Sequence, residues 1–302
     1  MDTRRALAAA TLLAGLAVVG QGQLVAQTIQ RALYVSVLNE AGAPVPDLGP
    51  SDFIVREDNV AREVLKVAPA TEPMQVALLI DNSQAARDYI AHYRQALPAF
   101  VTALADAGEG SVRNEVAVIA IAERPTILTD YTTNLVNLKK GIDRLWSQRS
   151  SGAYLLDGIY ETAKGFKKRE AQRAVIVAIT AEGPELSNYH YDQVLGPLRD
   201  NGVAFYAIAV GHPTASLSDE MRNRAMVLDI GTRDSGGSFD QLLTSMALGG
   251  KLTQLADQLT HQYRVTYARP TTLIPPEKVT VAAAKPNLTA RGTLIRESKD
   301  KK

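Results

Sequence analysis

From residue 74 onward the chain alternates between two hydrophobic periods. Residues 76–80, 174–180 and 203–210 are apolar runs, too short for helices and bounded by polar residues. Such runs are strands buried on both faces. Residues 114–121, with Val116, Val118, Ile119 and Ile121, form a fourth, and residues 126–129 are a shorter candidate. Between these runs apolar side chains recur three and four apart. The first set is Ala86, Ile90, Tyr93, Leu97, Phe100, Val101 and Leu104. The second is Leu135, Leu138, Ile142 and Leu145, and the third Leu155, Leu156, Ile159, Tyr160 and Phe166. These spacings predict amphipathic helices, the first opening near Gln84. Strands separated by helices imply parallel order and right-handed crossovers. The expected fold class is therefore α/β, with a doubly wound, mostly parallel sheet over residues 71–268. Residues 217–246 read as helix fragments around a glycine-rich loop, Asp234-Ser235-Gly236-Gly237. A helix through Leu252, Leu255 and Leu259 then leads to residues 263–267, expected as the last strand of this unit.

The flanks follow a different rule. Leu33, Val35 and Val37 alternate with their neighbours, Pro44 and Pro46 bar helix, and residues 53–55 and 63–67 are further short strands joined by turns. Residues 27–70 thus read as a small β unit. Residues 278–281 and 293–295 are strand-like within a C-terminal segment, 269–297, expected to pack with that unit. Residues 298–302 are a charged tail.

The strand at 76–80 ends in Asp81-Asn82-Ser83 and gives way to helix. An acid and a hydroxyl placed there face the crevice at the carboxyl edge of the sheet, where ligands of open α/β folds bind. A helix cap is the simpler role for Asp81 and Ser83. An apolar strand followed by Asp-x-Ser-x-Ser also resembles the von Willebrand factor type A domain, in which those residues begin a metal-ion-dependent adhesion site. The β segments agree with a bacterial group often labelled VWFA-related. Asp52-Phe53-x-Val55-x-Glu57-Asp58 resembles its N-terminal segment, and Tyr263-x-Val265-x-Tyr267 with Lys278-Val279-x-Val281 its end.

The resemblance implies an Asp and two Ser from a first loop, a Thr from a second and an Asp from a third, all oxygen donors suited to Mg²⁺. Here Asp81 and Ser83 are kept, while Ala85, Ala153 and Ala181 stand at the other three positions. The resemblance therefore implies a degenerate site, with Asp81, Asn82, Ser83, Gly152, Glu182 and Gly183 as candidate binding residues. Asp81 and Ser83 alone would hold Mg²⁺ only weakly, on the order of millimolar. No cofactor is expected.

Composition narrows the class. The 302-residue chain is 46% hydrophobic and 22% charged, ordinary for a globular protein with a sizeable core. Its formal charge of +1 offers no field for nucleic acid. Having no cysteine removes disulfides, thiol nucleophiles and thiolate zinc sites. Residues 1–26 have the layout of a signal peptide: Arg4 and Arg5, an apolar run over residues 6–20, and Leu24-Val25-Ala26 before the cut. That run is short of the ~20 residues a span needs. The mature protein is expected to be exported, periplasmic or extracellular, with no membrane span.

No His-Glu-x-x-His, Gly-x-Ser-x-Gly, phosphate loop or dinucleotide fingerprint is present. The expected function is a non-enzymatic, metal-independent module that binds another protein. The alternatives are an envelope assembly component that self-associates through sheet edges and, third, a hydrolase whose triad assembles only in space.

Overall fold

The computed structural model describes residues 28–105, 113–213, 218–271, 274 and 276–295. The expected leader, 1–26, and the tail, 298–302, lie outside the described residues. Four strands come first: β1 (Thr28–Leu38), β2 (Phe53–Glu57), β3 (Val60–Arg62) and β4 (Val64–Pro69). β2 buries Phe53, Val55 and Glu57 and turns Ile54 and Arg56 outward, the period of two that makes one face apolar. It turns into β3 through Asp58 and Asn59, at φ 45° and 68°. Asp and Asn tolerate the left-handed region that a two-residue hairpin demands.

The alternation then begins. β5 (Met74–Ile80), α1 (Ile90–Ala105), β6 (Glu115–Ala120), β7 (Thr126–Thr132), α2 (Leu135–Asp143) and α3 (Leu155–Arg169) lead to β8 (Arg173–Ala181). There follow α4 (Tyr191–Asp200), β9 (Val203–Val210), α5 (Asp219–Met226), a π turn (Val227–Gly231), the short α6 (Thr232–Asp234), β10 (Phe239–Leu242) and α7 (Leu248–Thr260). The six strands form one sheet in the order β10-β9-β8-β5-β6-β7. All neighbours are parallel except β7, which runs antiparallel to β6. Every residue of β8 and β9 is buried. Val76, Leu78 and Ile80 pack towards α1, α2 and α7, whereas Ala77 and Leu79 pack towards α3, α4 and the π turn. Burying one such side chain stabilises by roughly 1.5–3 kcal/mol. An acid at Leu78 or Leu79 would therefore break the sheet. The doubly wound α/β architecture is as expected. None of the described helices is long and apolar enough to cross a membrane.

Three local expectations need correction. α1 begins at Ile90 after a 3-10 turn at Arg87–Tyr89, not near Gln84. β10 was not foreseen in residues 217–246; it is only four residues long and only partly buried. Residues 263–267 do not join the parallel sheet. They belong to β11 (Tyr263–Pro270), which lies antiparallel between β1 and β4. Its burial alternates strictly, Tyr263, Val265 and Tyr267 in and Arg264 out, which suits a sheet with one covered face rather than two.

After β11 come β12 (Val279–Ala283), paired with β2, and β13 (Thr289–Leu294), paired with β1. The sheets β13-β1-β11-β4 and β12-β2-β3 enclose Leu33, Val35, Val37, Phe53, Val55, Val265 and Tyr267. This sandwich meets the amino end of the parallel strands at Arg173, the first residue of β8. Its Nη2 donates to Leu259 O at 2.6 Å and to Gln262 Oε1 at 2.7 Å, and Nη1 to Glu72 O at 3.2 Å. Gln262 Nε2 reaches Ser36 Oγ of β1 at 2.9 Å.

Candidate functional site

β5 and β8 are adjacent, and the chain leaves β5 towards β6 on one side and β8 towards β9 on the other. The carboxyl ends of this pair are the sheet's topological switch point, where the connections part and leave a crevice. Asp81 sits there, fully buried. Its Oδ1 accepts from Ser83 N at 2.8 Å, and its Oδ2 from Ala181 N at 2.9 Å and Thr180 Oγ1 at 3.3 Å. Asp81 therefore staples the first loop to the third. It does not cap α1, which starts nine residues later.

The second loop closes over the first. Asn82 Nδ2 donates to Trp146 O at 3.1 Å, and its Oδ1 accepts from Ala122 N at 2.9 Å. Ser147 Oγ donates to Ser83 O at 3.0 Å, and Gln84 N to Ser151 O at 3.2 Å. Ala153 joins the second loop to the third: its N donates to Pro184 O at 2.9 Å, and its O accepts from Leu186 N at 2.8 Å. Gly152 leaves room for that crossing, since a Cβ there would lie 2.6 Å from Leu186 Cγ and 2.9 Å from Pro184 O. A Cβ on Gly183 would collide with Ala85 Cβ. The fold thus brings together Asp81, Asn82, Ser83, Gly152 and Gly183, with Ala85, Ala153 and Ala181 among them.

Glu182 points elsewhere. Its Oε2 pairs with Arg224 Nη1 at 3.3 Å, and both side chains are largely buried. Arg224, from α5, also donates through Nη2 to Ala181 O at 3.1 Å and Thr180 Oγ1 at 3.4 Å. A guanidinium therefore stands one hydroxyl behind the Asp81 carboxylate. Arg224, Thr180 and Glu185 are the residues that sequence reasoning missed. Arg224 carried one signal, its spacing of three and four before Val227 and Leu228, which places it on the inward helix face.

Glu185 caps α3 from outside the helix. Its Oε1 accepts from Leu155 N at 3.1 Å and Ser187 N at 3.2 Å, while Oε2 has no partner. Burial pushes its carboxyl up to about 7, against the opposing pull of Ser187 and Arg224. Asp157, in the first turn of α3, accepts from Asn188 N at 2.8 Å and so fixes the far end of the third loop.

These residues do not fit a divalent ion. Ser83 Oγ is buried without a partner, one donor in favour. Against it, both Asp81 oxygens already serve protein donors, three expected donors are methyl groups, and Arg224 supplies positive charge from behind. Among the described residues no group of three or more His, Asp or Glu side chains could hold a metal.

The model of the von Willebrand factor type A domain matches residues 75–264, and the chain belongs to that family. No curated protein matches it. Among solved structures, proximal thread matrix protein 1 from the mussel byssus is 16% identical with a TM-score of 0.50, covering 71% of this chain and 50% of that one. This chain thus spans about half the length of the mussel protein. A von Willebrand factor type A protein from Catenulispora acidiphila is 12% identical with a TM-score of 0.48, covering 89% of this chain and 73% of that one.

Proposed function

We propose that the protein is an exported, non-enzymatic module that binds another protein at the carboxyl edge of its parallel sheet without a divalent metal. The observation that carries this reading is Asp81: it is fully buried and its oxygens hold Ser83 N, Ala181 N and the Thr180 hydroxyl, leaving a single lone pair, on Oδ1, for an ion. A divalent cation would have to shed water for too few ligands. What remains at this edge is a surface fit for side-chain contacts. Trp146 is 70% exposed and Leu186 46% exposed, on loops cross-bonded to each other and to Asn82. Tryptophan held on a rigid support is a common anchor of protein interfaces. Export rests on the leader-like residues 1–26. In this reading residues 27–70 and 269–297 form one β unit that carries the α/β domain.

The test is affinity capture from the envelope fraction of the source cells. One stoichiometric partner should be retained in EDTA and lost, by at least tenfold in affinity, in Trp146→Ala with unchanged melting. Loss in EDTA, restored by Mg²⁺, would sink metal independence. Self-association insensitive to Trp146 would favour the assembly reading instead.

A further inference from the structure

Beside the Asp81 loops lies a second feature that the adhesion-site resemblance does not predict. Residues 183–187 of the third loop, with Ser218, Glu220 and Met221, line a cavity of about 630 Å³. Its lining joins Pro184, Leu186 and Met221 to two acidic residues, Glu185, buried behind the wall, and Glu220, exposed at the rim. Glu185 is 97% buried, being 3% exposed, and its Oε2 meets no donor. Glu220 forms no ion pair among the described residues. Arg224, the nearest buried cation, is engaged by Glu182, Thr180 and the Ala181 carbonyl.

We propose that this cavity receives a basic side chain, lysine or arginine, of the protein partner. The proposal rests on the reading of this edge as a protein-binding surface and names the chemistry of the contact. An aliphatic stem matches the Leu186, Pro184 and Met221 walls. A cationic head meets the Glu220 charge at the rim and, once the wall side chains part to admit it, supplies the donor that the buried Glu185 Oε2 lacks. Burying a carboxylate is costly unless a cation or donors compensate it, so the site gains most from a positive ligand. The raised Glu185 carboxyl reports the same deficit: burial disfavours its charge by more than Ser187 and Arg224 offset. Arginine would add planar, forked donors and lysine a point charge.

Methionine makes a direct readout available, because among the described methionines Met221 alone lines the cavity. The experiment is methyl-¹³C methionine NMR of the intact protein, titrated with capped Gly-Lys-Gly and Gly-Arg-Gly tripeptides. Gly-norleucine-Gly and Gly-Glu-Gly serve as controls. The basic peptides should shift the Met221 signal in a saturable way at millimolar concentration, leaving Met74 and Met246 in place. The controls should not. Glu185→Gln keeps an acceptor for Leu155 N and Ser187 N, so the fold survives, and with Glu220→Gln it should weaken the response at least tenfold. No Met221 shift with the basic peptides, an equal shift with norleucine, or a response to Ca²⁺ alone would overturn the proposal. A positive titration with no partner capture would leave the cavity assigned and sink only the wider binding reading.

Discussion

Arg173 and Arg224 are both buried arginines that meet β8, one at its amino end and the other at its carboxyl end. Arg173 Nη2 and Nε make bonds of 2.6, 2.7 and 3.2 Å, and the guanidinium lies 5.2 Å from the Tyr34 ring centre. Arg224 makes three longer contacts of 3.1 to 3.4 Å, and its Nε has no partner. The first is locked by backbone and amide groups that no partner protein would want. The second sits loosely among loop groups that have other bonds available. Regions that rearrange on binding are drawn from the less tightly held end of a fold. One end of these strands joins two layers, and the other carries the loops at which we propose that a partner binds.

Replacing each arginine is the sharpest way to break that comparison. Arg173→Met leaves three acceptors without a donor at the junction, and should cost about 4 kcal/mol in urea unfolding. Arg224→Met should cost about 1–2 kcal/mol, because Glu182 lies nearer the surface and can reach water. Equal losses would show that the two ends are equally structural.

Asp81→Ala comes next. It strands two buried N–H groups and a hydroxyl, so about 3 kcal/mol is expected, more than a lost helix cap would give. Millimolar Mg²⁺ should leave the melting of the native protein unchanged. A rise that vanishes in Asp81→Ala would show an ion held there.

The Glu185 effect is smaller and depends on pH. The folded protein keeps this proton up to about pH 7, whereas an unfolded carboxyl loses it near 4.5. Between those values the folded state binds more protons, so stability falls as pH rises and levels off above 7. Glu185→Gln removes that slope. It should be more stable than the native chain above pH 7 by about 2 kcal/mol, against a ceiling of about 3 kcal/mol, and no better at pH 4. Parallel pH–melting curves of the two proteins would refute the assignment.

Much of the fold was legible because burial on two faces leaves a strong mark. Val76 to Ile80 and Val203 to Val210 carry no polar residue, and only the interior of a covered sheet accepts that. β11 was misplaced although its own alternation of Tyr263, Val265 and Tyr267 against Arg264 and Thr266 pointed to a one-faced sheet. β10 has four residues and little burial, too weak a pattern to detect. At the site, the loop positions of Asp81, Ser83, Ala153 and Ala181 were readable from motif and order. The direction of Glu182 towards Arg224, and the pairing of Glu185 with Leu155 N, were not. Such contacts join residues 30 to 42 positions apart through loops, where no period constrains which way a side chain turns.

The path of β1 also has a consequence in time. Its ladder partners are residues 263–270 and 289–294, and β4 pairs only with β11. The first ladder pairs to form, Val35 with Tyr263 and Pro69 with Tyr263, lie 228 and 194 residues apart, so neither strand finds this neighbour until nearly all of the α/β domain has left the ribosome. The parallel sheet can condense while β1 and β4 remain open ribbons, exposing unpaired N–H and C=O groups to any passing strand. Closing so long a loop is slow. The interval before β11 arrives is when this chain is most exposed to aggregation and most in need of a chaperone.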